Sequence, residues 1–307
     1  MRRILLLPAA LSLLTTISTQ STSPKRGLCH VHSSLHPSDD LIWISGRNNP
    51  TWYYNYGKEP SPAYVSTKDM QFVPMLWGAS DKDTGTPFYN SIKSQLDNGA
   101  NIKYVLSFNE PDTTHAVGGS DLTTSLAASR WKAEIEPLRA LGIKVGAPGV
   151  TGAESGWNWL DNWLKSCDGG CNPDFMTVHW YGNFEGMMSH LGRVTAKWPD
   201  KEVWITEFGY PKHDLRMTQE FWNMSSRSLD SWPNITHYSY FGAFRSDVSN
   251  VGPNAAMLDQ NGALTDIGSW FLGGSATNFV PKKSSGSLTR QLPRIFKYIG
   301  QLGRWLW

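Results

Sequence analysis

Between residues 27 and 242 the chain repeats one pattern eight times: a short apolar run that stops at a turn. The runs are GLCHV (27–31), TWYYN (51–55), QFVPMLW (71–77), KYVLSFN (103–109), KVGAP (144–148), FMTVHWY (175–181), VWITEFG (203–209) and HYSYFG (237–242). They are rich in β-branched and aromatic residues, and most end at Gly, Asn or Pro, as strands do. Most read as continuous apolar stretches, the mark of parallel strands buried on both faces.

Helical periodicity separates several of these runs. FYNSIKSQL (88–96) precedes the fourth. The stretch 121–141 places Ala127, Trp131, Ile135 and Leu138 on one face and stops at Gly142. WNWLDNWLKS, GMMSHLGRVTAKW and TQEFWNMSSRSL follow the fifth, sixth and seventh runs, and LTDIGSWFL comes last. The link between the first two runs shows no clear pattern. Eight strands alternating with helices predict an α/β fold, a (β/α)8 TIM barrel over 27–280. An open doubly wound sheet is the rival, but it usually carries a Gly-rich phosphate loop after its first strand, and none is present.

The two ends differ from this body. Arg2 and Arg3 precede the apolar run ILLLPAALSLL (4–14), followed by small and polar residues, which is the signal-peptide pattern. Lys25–Arg26 then resembles a dibasic processing site. Residues 1–26 are therefore expected to be leader and propeptide, with a secreted body starting near Gly27. Residues 281–307 form a basic tail. Leu288, Leu292, Ile295, Ile299, Leu302 and Leu306 recur there at spacings of four and three, beside six bases. This reads as an amphipathic helix for weak contact with a membrane or anionic surface, against an extension with no role. Neither end holds an acid, so 27–280 carries 18 bases against 26 acids, a net of −8. An acidic body argues against nucleic acid as a partner. A monomer is expected.

The 15 Trp residues suit a carbohydrate binder, because a pyranose face packs on a flat ring; about half are expected to be core. Cys167 and Cys171 bracket SCDGGC, and in a secreted chain a disulfide is expected. A metal site is the alternative, without His or Cys nearby to complete it. Cys29 is left as a buried thiol. Asn223-Met-Ser and Asn234-Ile-Thr are glycosylation sequons, the first within an expected helix.

In a TIM barrel, chemistry sits at the C-terminal strand ends. Glu110 ends the fourth run, within FNEPD, and Glu207 ends the seventh, within VWITEFG. Either alone is equally consistent with a surface turn or a strand-end ion pair. Together they bring two carboxylates to one mouth, which glycoside hydrolysis requires: one protonates the leaving oxygen, the other attacks the anomeric carbon or activates water. Asn109 is placed to hold the sugar 2-hydroxyl. Glu110 must be protonated with substrate bound, so burial and the charge of Glu207 are expected to raise its pKa and give an acidic activity optimum. No metal or cofactor is required.

The ordered series KRG, TWYYNYG, FVPMLWG, FNEPD, VHWYG, ITEFGY, YFGAF and LDQNGALTDIG resembles the fungal alkali-sensitive linkage protein family, glycoside hydrolase family 128, over roughly 27–275. The resemblance implies a retaining endo-β-1,3-glucanase acting on β-glucan at the cell wall. Glu110 is implied as acid/base, Glu207 as nucleophile and Asn109 as the 2-hydroxyl contact. His179 and Tyr181 alternate on one strand and so share a face. Tyr181 is expected to position the nucleophile. His179 is expected to orient a carboxylate or touch sugar, against the alternative of a satisfied core histidine. Trp77 and Tyr56 are candidates to stack on glucose, and Trp180 is expected to face the other way. Tyr240 stands where the family usually has Trp, and Tyr56 also replaces a common Trp, which puts a sugar subsite in question. Two alternatives remain: a β-glucan-binding wall protein without turnover, and a glycosidase for another β-glycan such as xylan or mannan.

Overall fold

A computed structural model describes residues 23–46 and 50–283. The apolar run 4–14, read as a leader, and the amphipathic repeat of the tail lie outside the described residues. All eight runs form strands: β1 (Arg26–Cys29), β2 (Trp52–Tyr54), β3 (Gln71–Phe72), β4 (Tyr104–Val105), β5 (Lys144–Val145), β6 (Phe175–Tyr181), β7 (Glu202–Gly209) and β8 (Ile235–Tyr240). The sheet order β3-β2-β1-β8-β7-β6 and the pair β4-β5 are parallel throughout. Single bridges complete the ring: Met75–Leu106 joins the β3 and β4 segments, and Gly146–Phe175 and Val150–Val178 join β5 to β6. The fold is a closed (β/α)8 barrel. No helix among the described residues is long and apolar enough to cross a membrane.

The helices are α1 (Pro87–Asp97), α2 (Thr124–Arg130), α3 (Glu154–Cys167), α4 (Phe184–Lys197), α5 (Leu215–Ser231) and α6 (Asp266–Phe271). The expected single helix over 121–141 is broken. After α2 comes a π-turn at Trp131–Ile135 and a 3-10 segment at Glu136–Leu141, ended by Gly142 at φ 81°. Pro137 is the cause, since it has no N–H to donate and its ring crowds the carbonyl four residues back. The four apolar residues expected on one face are still buried, so widening the turn keeps them on the core. The same segment buries Glu134, which pairs with Arg130 and accepts from the Phe88 backbone N–H at 2.6 Å, satisfying a free donor in the first turn of α1. The unclear link between β1 and β2 is a 3-10 helix, Pro37–Ile44.

Two apolar layers follow from strand alternation. One lies between strands and helices and includes Leu28, Tyr53, Ile205, Phe208 and Tyr240. The other fills the barrel and includes Trp52, Tyr54, Phe175, Trp204 and Phe241. Among the described residues seven of 13 Trp are buried, close to the expected half. Cys167 and Cys171 form a disulfide at the end of α3. Asn223 lies within α5, where the sequon's Ser225 is fully buried; Asn234 precedes β8 and is partly exposed.

Lys25 and Arg26 do not behave as a removable dibasic pair. Lys25 Nζ donates to the carbonyls of Leu229, Asp230 and Trp232 at 3.1, 3.0 and 2.9 Å, closing the C-terminal end of α5. Arg26 opens β1 and is 4% exposed. Its guanidinium donates to Tyr238 OH at 2.8 Å and to the carbonyls of Trp270 and Phe271 at 3.1 Å, and pairs with Asp230. The folded body thus begins before Gly27. Gly27 itself has no room for a side chain, because a Cβ there would lie 2.0 Å from the Trp52 ring.

Candidate active site

A cleft of about 570 Å³ opens at the C-terminal ends of the strands and is lined by both Glu110 and Glu207. Each carboxylate reaches it by a local departure from regular strand geometry. Trp204 faces the barrel interior and Ile205 faces the helices. Strict alternation would therefore send residue 207 outward. The β6–β7 register shifts instead: Val178 pairs with Ile205, but His179 pairs with Glu207. Thr206 is the extra residue of this bulge, and the bulge turns Glu207 inward and Phe208 onto the helix layer. Glu110 sits just past β4 with φ 40°, a left-handed conformation unusual for a side-chain residue. The turn is held by its N–H, which donates to Gly149 O at 2.7 Å.

The two oxygens of Glu207 are each hydrogen-bonded. Tyr56 OH donates to Oε1 at 2.7 Å and Tyr181 OH donates to Oε2 at 2.6 Å. Behind Tyr56 lies Cys29, whose Sγ is 2.9 Å from Tyr56 OH and accepts from Tyr54 OH at 3.1 Å. Burial, reinforced by the Glu207 charge, pushes the Cys29 thiol far up, so it remains protonated. Burial and the neighbouring carboxylates likewise hold the Tyr181 phenol well above its ordinary range. Both tyrosines therefore stay donors to the carboxylate.

Glu110 is only 13% exposed. Burial is the largest influence on its carboxyl; His179 opposes it, the charges of Glu207 and Asp112 add to it, and the net is a raised pKa. His179 Nδ1 lies 3.0 Å from Glu110 Oε1 and 3.6 Å from Glu207 Oε2. Burial alone would lower the His179 pKa, but the carboxylate charges prevail and raise it. One ligand atom from each of Glu110, His179 and Glu207 lies within 4.8 Å of the others. The two carboxyls therefore face each other across the cleft with an oxygen of each within 4.8 Å of the other.

The structure brings most of the expected residues together and corrects two, Tyr56 and Tyr240. Asn109 lines the cleft; its Nδ2 donates to Gly118 O at 3.1 Å and its Oδ1 has no partner. Tyr56 lines the cleft but is 3% exposed, so its ring offers no face to a sugar and its hydroxyl serves Glu207 instead. Tyr240 is fully buried on the helix side, against Phe208 and Trp222. Alternation along β8 sends it outward and the next residue, Phe241, inward to the cleft, edge-on to Tyr181. Trp77 is not part of the cleft lining and sits against His115, with ring centroids 5.8 Å apart. Trp180 packs toward His190 of α4 as expected, yet it also borders the cleft. Sequence reading missed Phe241, which the period of two could have found; Cys29 is the buried thiol it expected, but its place behind Tyr56 left no signal in the sequence.

A TIM barrel with two close carboxylates at its mouth defines the class of glycoside-bond hydrolases. Comparison with known proteins agrees. The family profile described as Glycosyl hydrolase catalytic core matches residues 27–271, and the chain belongs to that family. Alkali-sensitive linkage protein 1 of Schizosaccharomyces pombe (strain 972 / ATCC 24843) is 27% identical over 263 residues; the match covers 82% of this chain and 45% of that protein, so the chain spans less than half its length. An exo-β-1,3-glucanase of family 128 from Aureobasidium namibiae has a similar fold, with TM-score 0.68 and 17% identity over 82% of this chain and 97% of that one. A family 128 oligosaccharide-binding protein from Cryptococcus neoformans is also similar in fold, with TM-score 0.63 and 24% identity over 85% and 97%.

Proposed function

We propose that the protein is a glycoside hydrolase of family 128 that cleaves β-1,3-glucan with retention of anomeric configuration. The observation that carries the reading is the close Glu110–Glu207 pair, with one carboxyl raised by burial and the other bonded through both oxygens. The β-1,3-glucan assignment rests on the sequence motifs and on the named relatives.

In the first step Glu110, protonated, gives its proton to the glycosidic oxygen as that bond breaks. Glu207 attacks the anomeric carbon and forms a glycosyl-enzyme ester. In the second step Glu110, now ionised, takes a proton from water, whose oxygen attacks the same carbon and releases Glu207. Tyr56 and Tyr181 fix the carboxylate of Glu207 and stabilise its charge when it leaves. His179 bridges both carboxyls and orients Glu110. Asn109 Oδ1, unpartnered, accepts from the sugar 2-hydroxyl. A place in the extracellular space or fungal wall belongs to the same reading.

The family 128 neighbour that binds oligosaccharide supports a second reading, a glucan-binding protein without turnover. One experiment separates them: release of reducing ends from soluble β-1,3-glucan by the secreted full chain and by Glu207→Ala, with xylan as control. Release by wild type alone, and little from xylan, is expected. Glucan binding without release from pH 4 to 8 would leave the binding protein; equal release from xylan would overturn the substrate.

A further inference from the structure

Outside the cleft, one buried cluster has a composition that catalysis does not use. β1 runs out into His30 and His32, and the 3-10 helix Pro37–Ile44 brings Asp40 against them. His30 Nε2 lies 2.9 Å from Asp40 Oδ1, and His32 Nδ1 lies 2.9 Å from Asp40 Oδ2. One ligand atom from each of the three lies within 4.8 Å of the others. His30 and Asp40 are 1% and 8% exposed, whereas His32 is 54% exposed. None of the three lines the catalytic cleft.

We propose that His30, His32 and Asp40 bind one divalent transition-metal ion, with zinc as the best match. Two imidazoles and a carboxylate are donors of the kind zinc takes, at about 2.0–2.2 Å each. Donors arranged around such an ion are about 3 Å apart; each imidazole already lies 2.9 Å from one oxygen of Asp40, and the three donors lie within 4.8 Å of one another, so a small shift of the exposed His32 closes the set. The buried members are held from behind, as metal ligands are. The other ring nitrogen of His30, Nδ1, is 2.9 Å from Ser61 Oγ, which is itself fixed by Asn55 Nδ2 at 3.0 Å. Tyr64 OH donates to the Asp40 carbonyl at 3.0 Å and packs its ring edge-on to His30. With its proton on Nδ1, facing Ser61, His30 presents a lone pair at Nε2. With its proton on the outer Nε2, His32 presents one at Nδ1.

Charge points the same way. Among the described residues the ion-pair partners of Asp40 are these two imidazoles, and no Lys or Arg reaches it. The carboxylate of Asp40 places a negative charge in a buried position, which a dication offsets. The exposed side of His32 leaves a way in and room for a water as fourth ligand. Binding requires both facing nitrogens to be free of protons, so any proton there is released to solvent.

The test is calorimetric titration of the chelator-stripped full chain with zinc chloride near neutral pH, together with His32→Ala and Glu207→Gln. The expected result is one equivalent bound with Kd below about 10 μM, weakened at least about tenfold in His32→Ala. Glu207→Gln is expected to match wild type. His32 is exposed, so its replacement leaves the barrel folded. No saturable binding tighter than about 1 mM would overturn the proposal. Binding that survives His32→Ala and disappears in Glu207→Gln would also overturn it, because the ion would then sit on the catalytic carboxyls. Neither readout depends on the glucanase reading.

Discussion

Replacing Tyr56 with Phe removes one hydroxyl and keeps the ring. That hydroxyl donates to Glu207 Oε1 at 2.7 Å inside the barrel, and the ring is 3% exposed. A hydrogen bond to a charged group contributes about 1.5–3 kcal/mol. If that bond acts in full on the nucleophile, kcat on soluble β-1,3-glucan falls by about 10- to 150-fold. KM changes little, because Tyr56 presents no face to sugar. Tyr181→Phe, which removes the 2.6 Å partner at Oε2, lowers kcat for the same reason. The double variant costs less than the sum of the two, since both act on one carboxylate. The assay is reducing-end release across pH 3–9 for all four proteins. An unchanged kcat in Tyr56→Phe would refute the claim that this bond governs the nucleophile.

Three further outcomes follow from the same structure. Glu110 has a raised pKa, so wild-type activity declines as pH rises through that value; Glu110→Gln abolishes the decline along with most activity, and a flat wild-type rate from pH 4 to 8 contradicts it. A chain starting at Gly27 loses the Lys25 and Arg26 bonds to α5, α6 and Tyr238; it melts at a lower temperature than a chain starting at Ser23, and equal melting would refute the clasp. Burial lowers the pKa of His190 and of His237, stacked on Trp204, to about 4. Between about pH 6.5 and 4 the unfolded chain binds protons that the folded one does not, so stability falls as pH falls. Thermal melts should show this loss, reduced in His237→Gln, and melts that rise toward pH 4 would refute it.

The alternation of apolar runs with helical periods settled the architecture in advance, because a buried parallel strand needs a continuous apolar run whatever its neighbours are. The carboxylates were legible for a related reason: a chain that ends such a strand on Asn109–Glu110, or carries Glu207 in an apolar run, places a polar group where burial is costly. Some readings failed locally. Pro137 splits the helix expected over 121–141, and Arg26, which resembled a cleavage site, is a buried clasp. Tyr240 resembled a sugar platform by position in a motif, yet the period of two turns it to the helices and brings Phe241 to the mouth.

Sequence alone thus determined a barrel, its strand count and the two acids at its mouth, because those depend on residue type and order along the chain. The tertiary structure decided which way each acid points and what tunes it. The extra residue at Thr206 is visible only as a register shift against β6. Tyr181 was expected to position Glu207, but the carboxylate's other donor, Tyr56, lies 151 positions away. Separation of that size leaves no periodic trace, and the contacts exist only because the ring of strands closes.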